Sequence, residues 1–241
     1  MNSGTVYGNY MQNEKLPDWE EVLSSASYLQ RLLPEAILVG GTAAALYAKH
    51  RFSRDADHVL ADLSSRFDTI LSDLETVAGW KTARIKRPVL ILGSLDGIET
   101  GVRQLIRTSP LETTQLVIDG KKITVPTESE ILRIKGILIL KRNATRDYLD
   151  FAALADYMGK DTFFSAISRF DELYPQPNGE SALLQLQIQL AEPLPYDLEE
   201  TRLDEYKNLK NEWKDWNRVR SVCIDLALSI FDFLSTQKTP L

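Results

Sequence analysis

The chain has 241 residues, of which 44% are hydrophobic and 26% charged, with a formal net charge of −6 and one cysteine. This composition excludes general disorder and fits a globular protein with one large or two small cores. The single Cys223 excludes an intramolecular disulfide and a thiolate zinc site, which favours a reducing compartment. No stretch reads as a signal peptide or a membrane span, so we expect a cytoplasmic protein.

The first third of the chain predicts alternating helices and strands. Residues 1–15 are polar and are expected to be flexible. Apolar residues at helical spacing then predict a helix over 17–33, which Pro34 ends. A short apolar strand runs into Gly40 and Gly41. The next predicted elements are a helix over 42–49, a strand over 54–60 and a helix over 67–78.

Between residues 80 and 125 the sequence pattern changes from helical to extended. Strands are predicted at 89–92, 98–106, 115–118 and 122–125. Asp119-Gly120 between the last two predicts a hairpin. Thr127 and Glu130 form a capping-box pattern that begins a helix ending near residue 141. Another helix is predicted over 145–159, and the remainder reads as helical. We therefore predict an α/β domain over 16–126, a mixed sheet with flanking helices, and a helical domain over 127–241.

One group of residues in the first predicted domain has the pattern of an active site. A strand that runs into Gly40-Gly41 lets the backbone approach a ligand closely, and the following helix points free N–H groups at an anion. On the next predicted strand, Asp55 and Asp57 project from the same face. Two carboxylates held this close repel each other unless a cation lies between them, and hard oxygen ligands suit Mg²⁺. A phosphate cradle beside such a pair is what phosphoryl or nucleotidyl transfer needs.

A second constellation lies on the two helices after residue 127. On a helical wheel Lys135 falls inside the apolar face of its helix, and Asp150 points to the apolar face of the next one. Charges in such places must be paired, metal-bound or functional. Lys135 would neutralise a triphosphate, and Asp150 (or Asp147) would orient that lysine or act near the acceptor hydroxyl. The alternative is a Lys135–Asp150 ion pair that only joins the helices.

The order strand, Gly-Gly, helix, strand, Asp-x-Asp resembles the active-site signature of the polymerase-β-like nucleotidyltransferase superfamily. The second set, Lys135, Arg142, Arg146, Asp147 and Asp150, resembles an element of the AbiEii/AbiGii-type nucleotidyltransferases, toxins of type IV toxin–antitoxin systems. Ser53, two residues before Asp55, also fits that pattern. The resemblance implies a nucleotidyltransferase-like fold, with Gly40, Gly41, Ser53, Lys135 and Arg146 binding a nucleoside triphosphate and Asp55 and Asp57 binding Mg²⁺. It further implies an RNA acceptor such as tRNA and an antitoxin partner.

The pattern departs from the superfamily at the third carboxylate, which acts as general base on a later strand. Our alignment of residues 97–106 places Gln104 there. Glu99, the only carboxylate of that strand, is the candidate substitute, and the alternative is that Glu99 is only an exposed strand residue. Two alternatives to RNA modification therefore stay open. One is a degenerate member that binds a nucleotide or a protein without transferring anything. The other is a small-molecule enzyme that modifies an antibiotic, which the acidic net charge favours over RNA.

Overall fold

The computed structural model describes residues 18–206 and 208–237. The predicted flexible segment over 1–15 lies outside these residues. Within them the chain forms a mixed α/β fold, which confirms the predicted class. None of the described helices is both long and apolar enough to cross a bilayer.

Five strands form a mixed sheet in the order β1-β2-β5-β4-β3. β2 and β5 run parallel, and the other neighbours are antiparallel. A separate hairpin pairs β6 with β7 around Asp119-Gly120, both with positive φ, as the two-residue turn requires. The strands are β1 (Ile37–Leu38), β2 (Asp55–Leu60), β3 (Trp80–Lys86), β4 (Leu90–Leu95), β5 (Ile98–Gln104), β6 (Thr113–Ile118) and β7 (Lys121–Pro126).

The α-helices cover the sheet and build the second half of the chain. Three precede β3 and five follow β7: α1 (Trp19–Leu32), α2 (Gly40–Ala48), α3 (Leu63–Glu75), α4 (Glu128–Arg142), α5 (Thr145–Ile167), α6 (Phe170–Leu173), α7 (Ala182–Ala191) and α8 (Trp216–Gln237). Two short 3₁₀ helices, Leu203–Glu205 and Asn211–Trp213, lead into α8.

The change from strands to helices falls at Pro126, as predicted, but the two halves share one core. The larger apolar cluster joins Leu38, Ala56 and Val125 to Tyr148 and Cys223 from the helices. Cys223 is fully buried there as a small apolar residue. A smaller cluster packs α3 against β4 and β5. The division into two domains therefore stays a prediction.

The structure differs from the sequence predictions at β3 and over 196–215, a stretch predicted to be helical whose described residues form only turns and the two 3₁₀ helices. Strand β3 was not predicted, because every residue after Trp80 is exposed and the strand carries no apolar alternation. The predicted end of a helix near Gly159 is confirmed as a break, because α5 consists of two helical segments that meet at Gly159, where the backbone angles are not helical. Gly159 has a φ of +73° and makes a kink inside the element, a conformation that glycine adopts without steric cost.

Candidate active site

The glycine pair opens α2 directly after β1. Gly40 has a φ of +75°, a left-handed backbone that favours glycine. The next residue, Gly41, has to lack a side chain, because a Cβ there would clash with the guanidinium of Arg51. Thr42 donates a hydrogen bond of 2.5 Å to the carbonyl of Asp55 and so ties α2 to β2. The N-terminus of α2 therefore lies beside the start of the acidic strand.

Asp55 and Asp57 lie on the same face of β2, both half-buried. The Ser53 hydroxyl donates to Asp55 Oδ1 at 2.5 Å, and Arg103 Nη2 lies 3.8 Å from Asp57 Oδ2. Burial and the neighbouring Asp55 charge raise the pKa of Asp57, although Arg103 and two arginines of the helical half oppose this. The pair therefore concentrates negative charge in a place where a cation would be stabilised.

The structure corrects the sequence alignment of β5 with the acidic strand β2. In the parallel pairing of β2 with β5, Asp55 is the register partner of Glu99, and Glu99 lines the same cleft as both aspartates. Gln104 pairs instead with Leu60, about 17 Å further along the strand. Its amide accepts from Ser64 N at 2.7 Å and donates to a nearby carbonyl, so it is held at the start of α3. The alignment of Gln104 with the acidic pair was therefore wrong, and Glu99, the substitute that the sequence offered, has that register.

Behind the cleft lies an ion cluster, here named the Asp150 cluster, made of Asp150, Lys135, Arg51 and His50. Asp150 is fully buried. It accepts two hydrogen bonds from Arg51, at 2.8 and 2.9 Å, and contacts Lys135 Nζ at 2.7 Å and His50 Nε2 at 2.7 Å. Burial would raise the pKa of Asp150, but Arg51 and Lys135 outweigh it and hold the pKa well below its usual range.

Lys135 is paired and also reaches the cleft. Its Nζ contacts Asp147 at 3.3 Å as well as Asp150, and only 2% of the residue is exposed. Asp147 in turn receives two hydrogen bonds from Arg142, at 3.0 and 2.8 Å. Lys135 nevertheless lines the same cleft as Asp55 and Asp57. The ion pair and the functional position therefore coexist in one residue.

The cleft has a volume of about 520 Å³ and collects most of the predicted site residues. Gly40, Gly41, Ser53, Asp55, Asp57, Lys135 and Arg146 all line it, and Asp150 lies behind it. Its walls also contain residues that the sequence reasoning did not assign to the site: Arg51, Phe52, Arg54, Glu200, Thr201, Arg202 and Tyr206. Arg51 and Phe52 lie inside the motif that was recognised, but no spacing rule marked them as site residues.

A larger groove of about 1290 Å³, here named the sheet groove, adjoins the cleft at the acidic pair. Asp55, Asp57 and Glu99 belong to both spaces. The floor of the sheet groove is apolar, with Leu92 of the sheet and Ile134 of α4 among its residues. Seven basic and three acidic residues line it. The basic ones are Arg84, Lys86, Arg103, Arg107, Lys141, Arg142 and Arg146.

One basic residue of α4, Arg133, faces neither of these spaces. Arg133 is 2% exposed and pairs with Glu130, at 3.1 Å, and with Glu112. Arg107 also pairs with Glu130, at 2.7 Å, so the carboxylate of this predicted capping residue is occupied by arginines. Arg133 is a structural ion-pair residue.

The carboxylates of Asp55 and Asp57 fit a Mg²⁺ ion whose remaining ligands come from the substrate and from water. In the part of the chain that the structure describes, no group of three or more His, Cys, Asp or Glu residues forms a ready metal site. Mg²⁺ needs fewer protein ligands than that, since it is commonly bound through one or two carboxylates with waters and substrate phosphates completing an octahedron. Asp55 and Asp57, on one face at the edge of an open cleft, match this requirement.

The comparison with solved structures bears on the fold. No family model matches the chain. A solved structure titled as a putative nucleotidyltransferase from Helicobacter pylori superposes with a TM-score of 0.50 at 17% identity, covering 90% of this chain and 96% of that one. The fold is therefore nucleotidyltransferase-like.

Curated sequence relatives match a shorter stretch. The MmpL11 proteins of Mycolicibacterium smegmatis, a mycolic acid-containing lipids exporter, and of Mycobacterium tuberculosis H37Rv, a heme uptake protein, are 33% and 35% identical over 129 residues. This is 52% of the present chain, which spans only 13% of the length of those relatives.

Proposed function

We propose that the protein transfers a nucleotide from a nucleoside triphosphate to a hydroxyl acceptor, in a Mg²⁺-dependent reaction. The observation that carries the proposal is that the glycine pair, the acidic pair and Lys135 line one cleft although they come from both halves of the chain. Each element alone is common in proteins. Their convergence on a nucleotidyltransferase-like fold favours this chemistry over a binding module.

In this proposal the triphosphate lies at the N-terminus of α2. Backbone N–H groups at Gly40 and Gly41 and the Arg146 guanidinium hold its phosphate oxygens, and the Ser53 hydroxyl turns from Asp55 Oδ1 to a phosphate oxygen when the triphosphate binds. Lys135 supplies a positive charge from the helical side. Asp55 and Asp57 would hold Mg²⁺, which would neutralise the charge that develops on the phosphates. Asp150 contacts no substrate and acts as a positioning residue, because it is buried behind Lys135.

The reaction is an in-line displacement at the α-phosphorus. The acceptor oxygen forms a bond to that phosphorus, the bond to the bridging α–β oxygen breaks, and pyrophosphate leaves. The acceptor proton passes to the Glu99 carboxylate. The register of Glu99 with Asp55 supports this role and disfavours the alternative of a degenerate binder that lacks a base.

The sheet groove is the acceptor site in this proposal, since it meets the triphosphate cleft at Asp55, Asp57 and Glu99. Its surplus of basic residues and its apolar floor suit an anionic acceptor with planar bases, which supports RNA. A polycationic antibiotic would be repelled there, so the local charge opposes the inference drawn from the acidic net charge.

The motif resemblance to AbiEii-type toxins supports the finer assignments: a tRNA acceptor, a cytoplasmic setting and an antitoxin partner. The lipid export and heme uptake of the MmpL11 relatives do not extend to this chain, because the match spans 13% of those proteins.

Titration calorimetry with Mg²⁺ and each nucleoside triphosphate tests binding, and incubation of total RNA with α-labelled triphosphates tests transfer. The wild type is expected to bind at least one triphosphate and to label RNA. Asp57→Asn is expected to lose Mg²⁺-dependent binding and labelling while it stays folded. The matched control is Asp73→Asn, an exposed carboxylate on α3 outside the cleft. Unchanged affinity in Asp57→Asn would refute the metal assignment.

A further inference from the structure

A large aromatic side chain is exposed inside the triphosphate cleft. Phe52 lies on the loop between α2 and β2, is 45% exposed and lines the cleft. Its two neighbours in sequence, Arg51 and Ser53, are both buried and hydrogen-bonded. Leaving this much of a phenyl ring in water costs free energy that burial elsewhere would recover. The loop therefore holds Phe52 outward between two fixed positions.

The ring is also held from behind. Trp19, the first residue of α1, stacks on Phe52 with ring centroids 5.0 Å apart and an interplanar angle of 15°. Trp19 itself packs against the larger apolar core. A stacked pair of this kind orients the outer ring and leaves its second face free for another flat group. Phe52 is thus a fixed platform and not a mobile surface residue.

We propose that Phe52 is the stacking platform for the nucleobase of the triphosphate. The inference rests on the function proposed above. Phe52 is adjacent in sequence to Ser53, which holds a phosphate oxygen in that proposal, and both line the same cleft. A triphosphate bound there places its base within the same space, where the exposed flat apolar surface is the phenyl ring. Tyr206 contributes a second aromatic ring to the wall.

Stacking predicts a particular selectivity. Every base has a flat aromatic face, so the platform contributes to affinity for all four triphosphates and does not read the base edge. It contributes nothing to a ligand that has the phosphates but no base. The difference between a nucleoside triphosphate and inorganic tripolyphosphate therefore isolates the role of Phe52 from that of the phosphate site.

The experiment is calorimetric titration of each nucleoside triphosphate and of tripolyphosphate, all with Mg²⁺, into the full chain. Phe52→Ala is expected to weaken every nucleoside triphosphate by about 5- to 150-fold and to change tripolyphosphate by less than about twofold. Phe52→Tyr keeps the aromatic face and is expected to bind like the wild type. Phe52→Leu keeps apolar packing on Trp19 without an aromatic face, and is expected to behave like Phe52→Ala even if the alanine variant folds poorly.

The matched control is Phe231→Ala, which removes a phenyl ring of similar exposure on α8, outside the cleft, and is expected to change neither ligand. Triphosphate affinity within twofold of the wild type in Phe52→Leu would overturn the proposal. Equal losses for both ligands would also overturn it, because the ring would then act through the phosphate site. A wild type that binds neither ligand removes the proposed function and this inference together.

Discussion

Gly41 makes room for the guanidinium of Arg51. A Cβ built on Gly41 would lie 2.1 Å from Arg51 Nη2 and 2.9 Å from its Cζ. The same guanidinium makes the two-bond pair with Asp150. The second glycine of the motif is therefore required by an internal ion pair, in addition to any contact that it makes with a phosphate.

Gly41→Ala is expected to displace Arg51 and to lower the free energy of unfolding by about 3 kcal/mol, because the carboxylate of Asp150 then loses its two-bond partner. Chemical denaturation measures this. In an Arg51→Lys background, which lacks the planar end of the side chain, the same glycine substitution is expected to cost less than about 1 kcal/mol. Equal costs in both backgrounds would show that Arg51 does not limit position 41.

Asp150→Asn is expected to destabilise the protein by about 3–5 kcal/mol, since it removes the charge that compensates buried Lys135 and Arg51. Thermal or denaturant unfolding measures the loss. The matched control on the same helix is Asp156→Asn, an exposed carboxylate 3.9 Å from Arg218, which is expected to change stability by less than about 0.5 kcal/mol. Similar values for the two variants would contradict a central role of the Asp150 cluster.

Glu99→Gln is expected to lower kcat by about 10²- to 10⁴-fold with little change in the affinity for the triphosphate, because the amide cannot accept the acceptor proton. Single-turnover transfer to RNA and calorimetry separate the two effects. Glu192→Gln, an exposed carboxylate outside the cleft, is the control. Full activity in Glu99→Gln would remove the general base from the mechanism.

Acid is expected to destabilise the protein through its two histidines, His50 and His58, both fully buried. Burial lowers the pKa of His50 despite Asp150, and it lowers the pKa of His58 from 6.5 to about 4. The unfolded chain therefore binds protons first as the pH falls below 6.5. The contribution of the neutral histidines to the free energy of unfolding is fully present above that pH. It is lost as the pH falls toward 4, and the loss from His58 alone is about 3 kcal/mol.

Unfolding free energies measured between pH 4 and 7 test this for His50→Gln and His58→Gln. Each variant is expected to show a shallower slope than the wild type, because it lacks one of the two titrating rings. The lowered pKa of Asp150 acts in the same direction only below about pH 3.8, and the raised pKa of Asp57 acts in the opposite direction. Parallel curves for all three proteins would show that the imidazoles do not control acid stability.

Local patterns predicted the elements that carry strong periodicity or turn chemistry. The helical spacing of α1, the glycine pair after β1 and the Asp119-Gly120 hairpin are all properties of contiguous residues. Burial of Lys135 and Asp150 followed from their places on apolar helix faces. Their mutual contact is the structural alternative that the sequence left open.

Pairing between distant segments could not be predicted in the same way. Alignment along β5 alone put Gln104 in the position of the third carboxylate. The hydrogen-bond register with β2 instead places Glu99 beside Asp55. Strand β3 has no apolar alternation to mark it. Phe52 is conspicuous only when Trp19 and the cleft surround it in space.

The shared core has a consequence for how such a chain can be divided or recombined. A fragment that stops at Pro126 would expose the faces of Leu38, Ala56 and Val125 that the helices cover. It would also leave Arg51 without the carboxylate of Asp150. Neither half is therefore expected to keep its fold when the other is removed. In the proposed mechanism, a change of acceptor preference would therefore arise from single substitutions within the sheet groove and not from the exchange of a domain.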